Sequence, residues 1–157
     1  MDYMMEKALH LVDIRLYAAN LVTNEKWSQF FRSRGFNIHT LKLRWMDAAF
    51  EDQQVTDLVK YCPNLTRLKL ENIWKIGPNS IKTISKLKSL EHLSLSMIQP
   101  ERIPNSVLLS LIKTIGPNLR TLSLRGFSNL DDSVLSQIHS SCRNLTKLRI
   151  TLTTDTT

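Results

Sequence analysis

The chain has 157 residues, 42% of them hydrophobic, enough for one continuous core and one domain. No apolar run approaches the roughly 20 residues of a membrane span, and the start, Met1-Asp2-Tyr3-Met4-Met5-Glu6-Lys7, lacks the basic and apolar regions of a secretory signal. The formal net charge of +7 suits an acidic partner or nucleic acid, and two cysteines without metal-ligand spacing suit a reducing, intracellular compartment.

A phrase of the form Leu-x-x-Leu-x-Leu recurs along the chain, with first positions at Leu11, Ile38, Leu65, Leu90, Leu119 and Leu145. The spacings are 27, 27, 25, 29 and 26 residues. A strand-and-helix unit of that period is the signature of a leucine-rich repeat, which must bury its apolar face against neighbouring units. The first unit runs Leu11-x-x-Ile14-x-Leu16 and continues to Thr23 or Asn24, either of which can cap a helix carrying Trp27, Phe30 and Phe31 inward. In the second, Ile38, Leu41 and Leu43 precede a helix with Val55, Leu58 and Val59 inward. The third has Leu65, Leu68 and Leu70, then Ile81, Ile84 and Leu87 on a helix. The fourth carries the longest excursion, 97–105, whose prolines Pro100 and Pro104 predict an extended loop on one rim. Leu119, Leu122 and Leu124 open the fifth, in which Asp131 and Asp132 are placed to cap a helix with Val134, Leu135 and Ile138 inward. The sixth has its strand, Leu145, Leu148 and Ile150, and no helix after it.

The expected fold class is therefore α/β: a curved leucine-rich-repeat solenoid of about six repeats, with a parallel concave sheet and helices on the convex side. The repeat domain takes residues 1–152 and a polar, Thr-rich tail takes 153–157. Because terminal repeats normally close the core with a polar cap, the chain reads as a fragment of a longer solenoid or, second, as a short variant whose ends pair with something.

Few residues suggest chemistry. Cys62 and Cys142 occupy equivalent positions at repeat-helix ends, as buried structural thiols would. Asn64 and Asn144 match the glycosylation sequon, but Asn118 holds the same turn position without it, so the turn explains all three. His10, His39, His92 and His139 are scattered, and no carboxylate pair, nucleophile elbow or phosphate loop emerges. An enzyme is not expected, nor a cofactor, metal or small-molecule site.

The inner strand face carries more information. With a period of two, positions three, five and seven of each repeat face away from the core. Of these eighteen residues eight are Lys or Arg and two are acidic, a net +6 out of the chain's +7. Arg15, Lys42 and Lys69 fall on adjacent strands as a ladder of like charges, which costs stability alone and which an anionic partner would relieve. The candidate partner-binding residues are Arg15, Tyr17, Lys42, Arg44 and Trp45 toward the amino end, then Arg67, Lys69, Arg125, Lys147 and Arg149.

The Cys62-Pro63-Asn64-Leu65 and Cys142-Arg143-Asn144-Leu145 turns, with Leu130-Asp131-Asp132 before a helix, resemble the cysteine-containing class of leucine-rich repeats found in F-box proteins and in a fungal DNA-repair protein. The phrases Arg15–Thr23, Leu41–Phe50 and Cys62–Leu70 are similar to the latter, the Rad-seven family, over about residues 11–100. That resemblance implies a nuclear protein of global-genome nucleotide-excision repair. It also implies a DNA-dependent ATPase as partner, membership of a cullin-type ubiquitin ligase, and repeats that serve as a non-catalytic interaction surface. The family's long amino-terminal region is not expected here, and ten residues before Leu11 leave no room for an F-box. Two other functions fit the residues. One is substrate recognition in a general F-box-type ubiquitin ligase unrelated to DNA. The other is sequence-independent DNA binding through Arg15, Lys42, Arg44, Arg67, Lys69 and Arg149.

Overall fold

The computed structural model describes residues 10–19, 22–46, 50–96, 98, 102–127 and 129–151. The amino-terminal start, the tail 153–157, Leu21, Asp47-Ala48-Ala49 of the family-like phrase and Met97, Gln99, Pro100 and Glu101 of the excursion lie outside them. Strands β1 (Asp13–Tyr17), β2 (Thr40–Arg44), β3 (Arg67–Glu71), β4 (His92–Ser96), β5 (Thr121–Arg125) and β6 (Lys147–Thr151) form one parallel sheet in chain order. Between them lie α1 (Asn24–Arg34), α2 (Asp52–Tyr61), α3 (Pro78–Ile84), α4 (Asn105–Ile115) and α5 (Asp132–Ser141). Parallel neighbours need a crossover, and each helix supplies one, packing on the next helix along one face of the sheet.

Every strand occupies the same five positions of its phrase, and the register never slips: Ile14, Leu41, Leu68, Leu93, Leu122 and Leu148 pair in sequence. A one-residue slip would turn each leucine to water. Backbone carbonyls at the strand entrances enforce the step. Those of Val12, His39, Thr66, Glu91 and Arg120 each accept two N–H groups from the following unit, at 2.7–3.1 Å. The turn asparagines repeat the step with their side chains: Asn64 donates to the Phe36 carbonyl, Asn118 to Lys88 and Asn144 to Pro117, at 2.8–2.9 Å. These amides hold one unit to the one before, which is why the turn keeps asparagine.

Local chemistry sets the helix starts. The Thr23 hydroxyl accepts from Lys26 N–H, Glu51 and Gln54 form a capping box, and Asp131 accepts from the N–H groups of Ser133 and Val134. α3 has no capping side chain of its own. Asp52, from the preceding unit, accepts from Gly77 N–H at 3.0 Å and from the Ser80 hydroxyl.

At the exits of β1, β2, β3 and β5 the chain turns sharply toward the helices through a residue with positive φ: Ala18 (50°), Trp45 (54°), Asn72 (53°) and Gly126 (77°). Each sends its N–H to the last strand residue of the next unit, namely Arg44, Glu71, Ser96 and Thr151. Asn and Gly suit this conformation, whereas Ala and especially Trp are strained in it.

The core runs the length of the stack. Trp27, Phe30, Phe31 and Phe50 form an aromatic cluster with ring centroids 5.4–6.3 Å apart, and leucine and isoleucine fill the remaining units. The expected inward helix positions are buried except Val59, which is half-buried, and Leu135, which is 44% exposed. Leu148 is likewise 45% exposed. Both lie in the sixth unit's neighbourhood, where no described element packs beyond α5 and β6. Ile98 and Ile103 are fully buried and anchor the excursion after β4.

Cys62 and Cys142 are buried and free, and each lies against a glycine of the preceding unit. A Cβ on Gly35 would stand 2.5 Å from the Tyr61 carbonyl oxygen and 2.9 Å from Cys62 Sγ; one on Gly116 would stand 3.0 Å from Cys142 Sγ. Burial drives the Cys62 thiol up to about 12, so it stays protonated and inert.

Replacing Leu68 (2% exposed) or Leu122 (0% exposed) with Ala should cost about 2–5 kcal/mol in chemical denaturation. Gly35→Ala should cost about 1–3 kcal/mol through overpacking against backbone. Losses under 1 kcal/mol at both leucines would contradict the core described here.

Candidate interaction face

Parallel sheets are usually covered on both sides. Among the described residues this sheet is covered on one side only, and the uncovered side bears the polar positions of the repeat. Register arranges them in three columns. The first holds Asp13, Thr40, Arg67, His92, Thr121 and Lys147; the middle holds Arg15, Lys42, Lys69, Ser94, Ser123 and Arg149; the third holds Tyr17, Arg44, Glu71, Ser96, Arg125 and Thr151.

The expected ladder Arg15–Lys42–Lys69 is present in register, but it is not uniformly free. Arg15 pairs with Asp13 at 2.8 Å. Glu71 bridges two cations, accepting from Arg44 Nη2 on one oxygen at 2.8 Å and meeting Lys69 Nζ with the other at 2.6 Å. The Arg44 hydrogen bond, followed by Lys69, outweighs the burial of Glu71 and holds its carboxyl down to about 2. Lys42, between Arg15 and Lys69, makes no ion pair among the described residues. The same holds for Arg67, Arg125, Lys147 and Arg149.

The face is also not uniformly exposed. Thr40, Glu71, Ser96 and Ser123 are each 4–8% exposed, although position parity alone places them outward. Long neighbouring side chains rise beside short ones, leaving two hollows. The larger, about 390 Å3, is floored over β4 and β5 by Ser94, Ser96, Thr121 and Ser123 and edged by Lys42, Arg67, Lys69, Arg125 and Arg149. The smaller, about 130 Å3, lies between Arg15, Tyr17, Lys42, Arg44 and Lys69. His92 sits at the edge of the larger one with Nδ1 3.0 Å from Thr121 Oγ1; burial, aided by Arg67 and Arg120, lowers its pKa and favours the neutral ring.

Arg44 organises the amino-terminal end. Its guanidinium lies 5.1 Å from the Trp45 ring centroid and 5.8 Å from that of Tyr17, within cation–π range, while it pairs with Glu71. Tyr17 is 60% and Trp45 47% exposed.

Eight of the ten predicted site residues therefore line the two hollows. Trp45 joins them by stacking on Arg44, and Lys147 lies on the same face outside both. Sequence reasoning missed Glu71 as the centre of the charge network and the Ser/Thr floor as a recess. The recurring short residues at positions three to seven of units four and five were the available signal.

These features define a class of chain: stacked strand–helix units that cover one side of a parallel sheet and leave the other open, strongly cationic and recessed. Within it, this chain is Rad7-like. It is 32% identical over 142 residues to the DNA repair protein rhp7 of Schizosaccharomyces pombe, a match covering 89% of this chain and 25% of that protein. The chain thus spans about a quarter of the length of this curated relative. In three dimensions it is similar to the crystal structure of the Rad7 and Elc1 complex in yeast, with TM-score 0.72, 17% identity, and coverage of 95% of this chain and 37% of that one. It is also similar to the tropomodulin C-terminal domain of Caenorhabditis elegans, with TM-score 0.65, 12% identity, and coverage of 91% and 89%. At these identities the two structures speak to fold alone. No family model matches the chain.

The two pairings predict distinct behaviours. Because Glu71 is drawn from 4.5 to about 2, its stabilising contribution is complete above about pH 4.5 and lost as pH falls toward 2. Thermal unfolding of Glu71→Gln should accordingly lack that part of the acid dependence; identical pH profiles for the two proteins would contradict the pairing. Trp45→Gly relieves a strained backbone, so its thermal midpoint should stay level or rise. A loss beyond about 1 kcal/mol would make Trp45 a packing residue instead.

Proposed function

We propose that the strand–helix units are leucine-rich repeats of a solenoid and that this chain is a non-catalytic protein-interaction scaffold in DNA repair. Its open basic face would dock an acidic partner. The observation that carries this reading is the set of cations on that face, Lys42, Arg67, Arg125, Lys147 and Arg149, that no described carboxylate neutralises. A like-charged face in a parallel sheet is costly unless something anionic covers it. The similarity to rhp7, named as a DNA repair protein, supports the repair setting. The solved structure of similar fold is a complex of Rad7 with Elc1, and a protein partner for this chain is a proposal of the same kind. A nuclear setting, nucleotide-excision repair, a DNA-dependent ATPase partner and a link to a cullin-type ubiquitin ligase complete the proposal. All are what the resemblance to the Rad7-like family implies. The domain limits, 1–152 for the repeats and 153–157 for the tail, belong to the same reading.

The free cations also favour a second reading, sequence-independent contact with DNA phosphates. Such binding weakens steeply with salt.

Nuclease-treated nuclear extract passed over the chain, beside a variant with Lys42, Arg67, Arg125 and Arg149 changed to Glu, separates these possibilities. Arg44 and Lys69 are left intact because reversing them would unbalance Glu71. The scaffold reading predicts capture of repair-factor proteins by the parent chain and loss of at least tenfold with the variant. Equal capture by both would refute it. No protein captured from the extract, with a purified DNA duplex retained by the parent chain and released between about 50 and 200 mM salt, would replace it with the second reading.

A further inference from the structure

We propose that the larger hollow, over β4 and β5, receives a phosphorylated serine or threonine side chain from the partner protein; this rests on the open-face reading above. Register places Lys69, Ser94, Ser123 and Arg149 in one row across β3 to β6. Three strand spacings, about 14 Å, separate the two outer backbones. The two residues between are serines, and the long outer side chains of Lys69 and Arg149 line the hollow with them. Arg67 and Arg125 add a cation at each end, also bordering the hollow.

The floor supplies a second kind of donor. The Ser94, Ser96 and Ser123 hydroxyls make no hydrogen bond to any described residue, although Ser96 and Ser123 are each only 4% exposed. Among the described residues nothing uses these O–H groups, and all three line the hollow. Hydroxyl donors below, with guanidinium and ammonium groups around, form a donor set with no built-in acceptor for an incoming anion. Glu71 borders the same hollow but is committed to Arg44 and Lys69.

A phosphomonoester fits this set better than a carboxylate does. It brings nearly two charges and three acceptor oxygens, against one charge and two oxygens. Three unpaired arginines would leave a single carboxylate over-neutralised. Shape argues for a peptide over a duplex: the cations ring one recess of about 390 Å3 and do not track a line of phosphates. An extended segment crossing the strands would also reach the Tyr17–Arg44–Trp45 cluster. That lies two to three strand spacings away, about 12 Å, or roughly four residues of extended chain.

The test uses the full chain and immobilised degenerate peptide libraries whose central residue is phosphoserine, serine or glutamate, with a random-sequence DNA duplex as a fourth probe. The proposal expects the phosphoserine library to be retained at least tenfold better than the serine and glutamate libraries. It also expects Arg67→Gln with Arg149→Gln to abolish that preference without lowering the thermal midpoint. Ser94→Leu, which fills the recess without changing charge, should do the same. Equal retention of the phosphoserine and glutamate libraries would overturn the phosphate assignment. If charge reversal still removed the nuclear partners, the scaffold reading would survive that failure. Preferential retention of the duplex, or a phosphoserine preference unchanged in the arginine variants, would overturn it as well.

Discussion

Everything in this molecule depends on parallel strands stacking with no stagger. Five consecutive strand pairs keep the same repeat position opposite itself, from Ile14–Leu41 through Leu122–Leu148. The paired N–H contacts to His39, Thr66, Glu91 and Arg120 carbonyls and the amide donations of Asn64, Asn118 and Asn144 impose that step unit after unit. Zero stagger makes the leucines on one side a continuous core. It equally makes whatever lies on the other side a set of straight columns, so the composition of the face becomes its electrostatics.

In the amino-terminal half that arrangement creates a conflict, and the protein resolves only part of it. Arg15, Lys42 and Lys69 are forced side by side. Asp13 and Glu71 neutralise the outer two, Glu71 while also holding Arg44 between two aromatic rings. Lys42 is left over. In the carboxyl-terminal half the columns change character: short hydroxyl residues on β4 and β5 open a recess, and Arg125 and Arg149 stand at its edge without a described carboxylate. A face that served only to be wet would need neither the recess nor the strained, exposed Trp45.

Much of this was legible from the spacing of leucines. A 25–29-residue period with Leu-x-x-Leu-x-Leu places each strand to the residue, because burial of the same three positions leaves no other register. Thr23 and Asp131 were equally legible as caps, since their chemistry is local. What escaped was what depends on neighbours. Parity places Thr40, Ser96 and Ser123 outward, and so they are, but they sit low between long side chains on adjacent strands. Leu135 and Leu148 follow the apolar pattern yet stay exposed because no described unit packs beyond them. The pairing of Glu71 with Arg44, 27 residues earlier, becomes visible only once β2 and β3 are laid side by side. Trp45 occupies a turn position that suits Asn or Gly, and only the backbone reveals its positive φ.

The central claim is that one face carries both neutralised and unneutralised cations, the latter held at a cost to stability. Thermal unfolding of Lys42→Gln beside Arg44→Gln at low ionic strength tests it most directly. The account predicts opposite signs: removing Lys42 should raise the midpoint by relieving repulsion from Arg15 and Lys69. Removing Arg44 should lower it by depriving Glu71 of its partner. A fall of similar size in both variants would mean that Lys42 is as well compensated as Arg44, and the case for an anionic partner on this face would be lost.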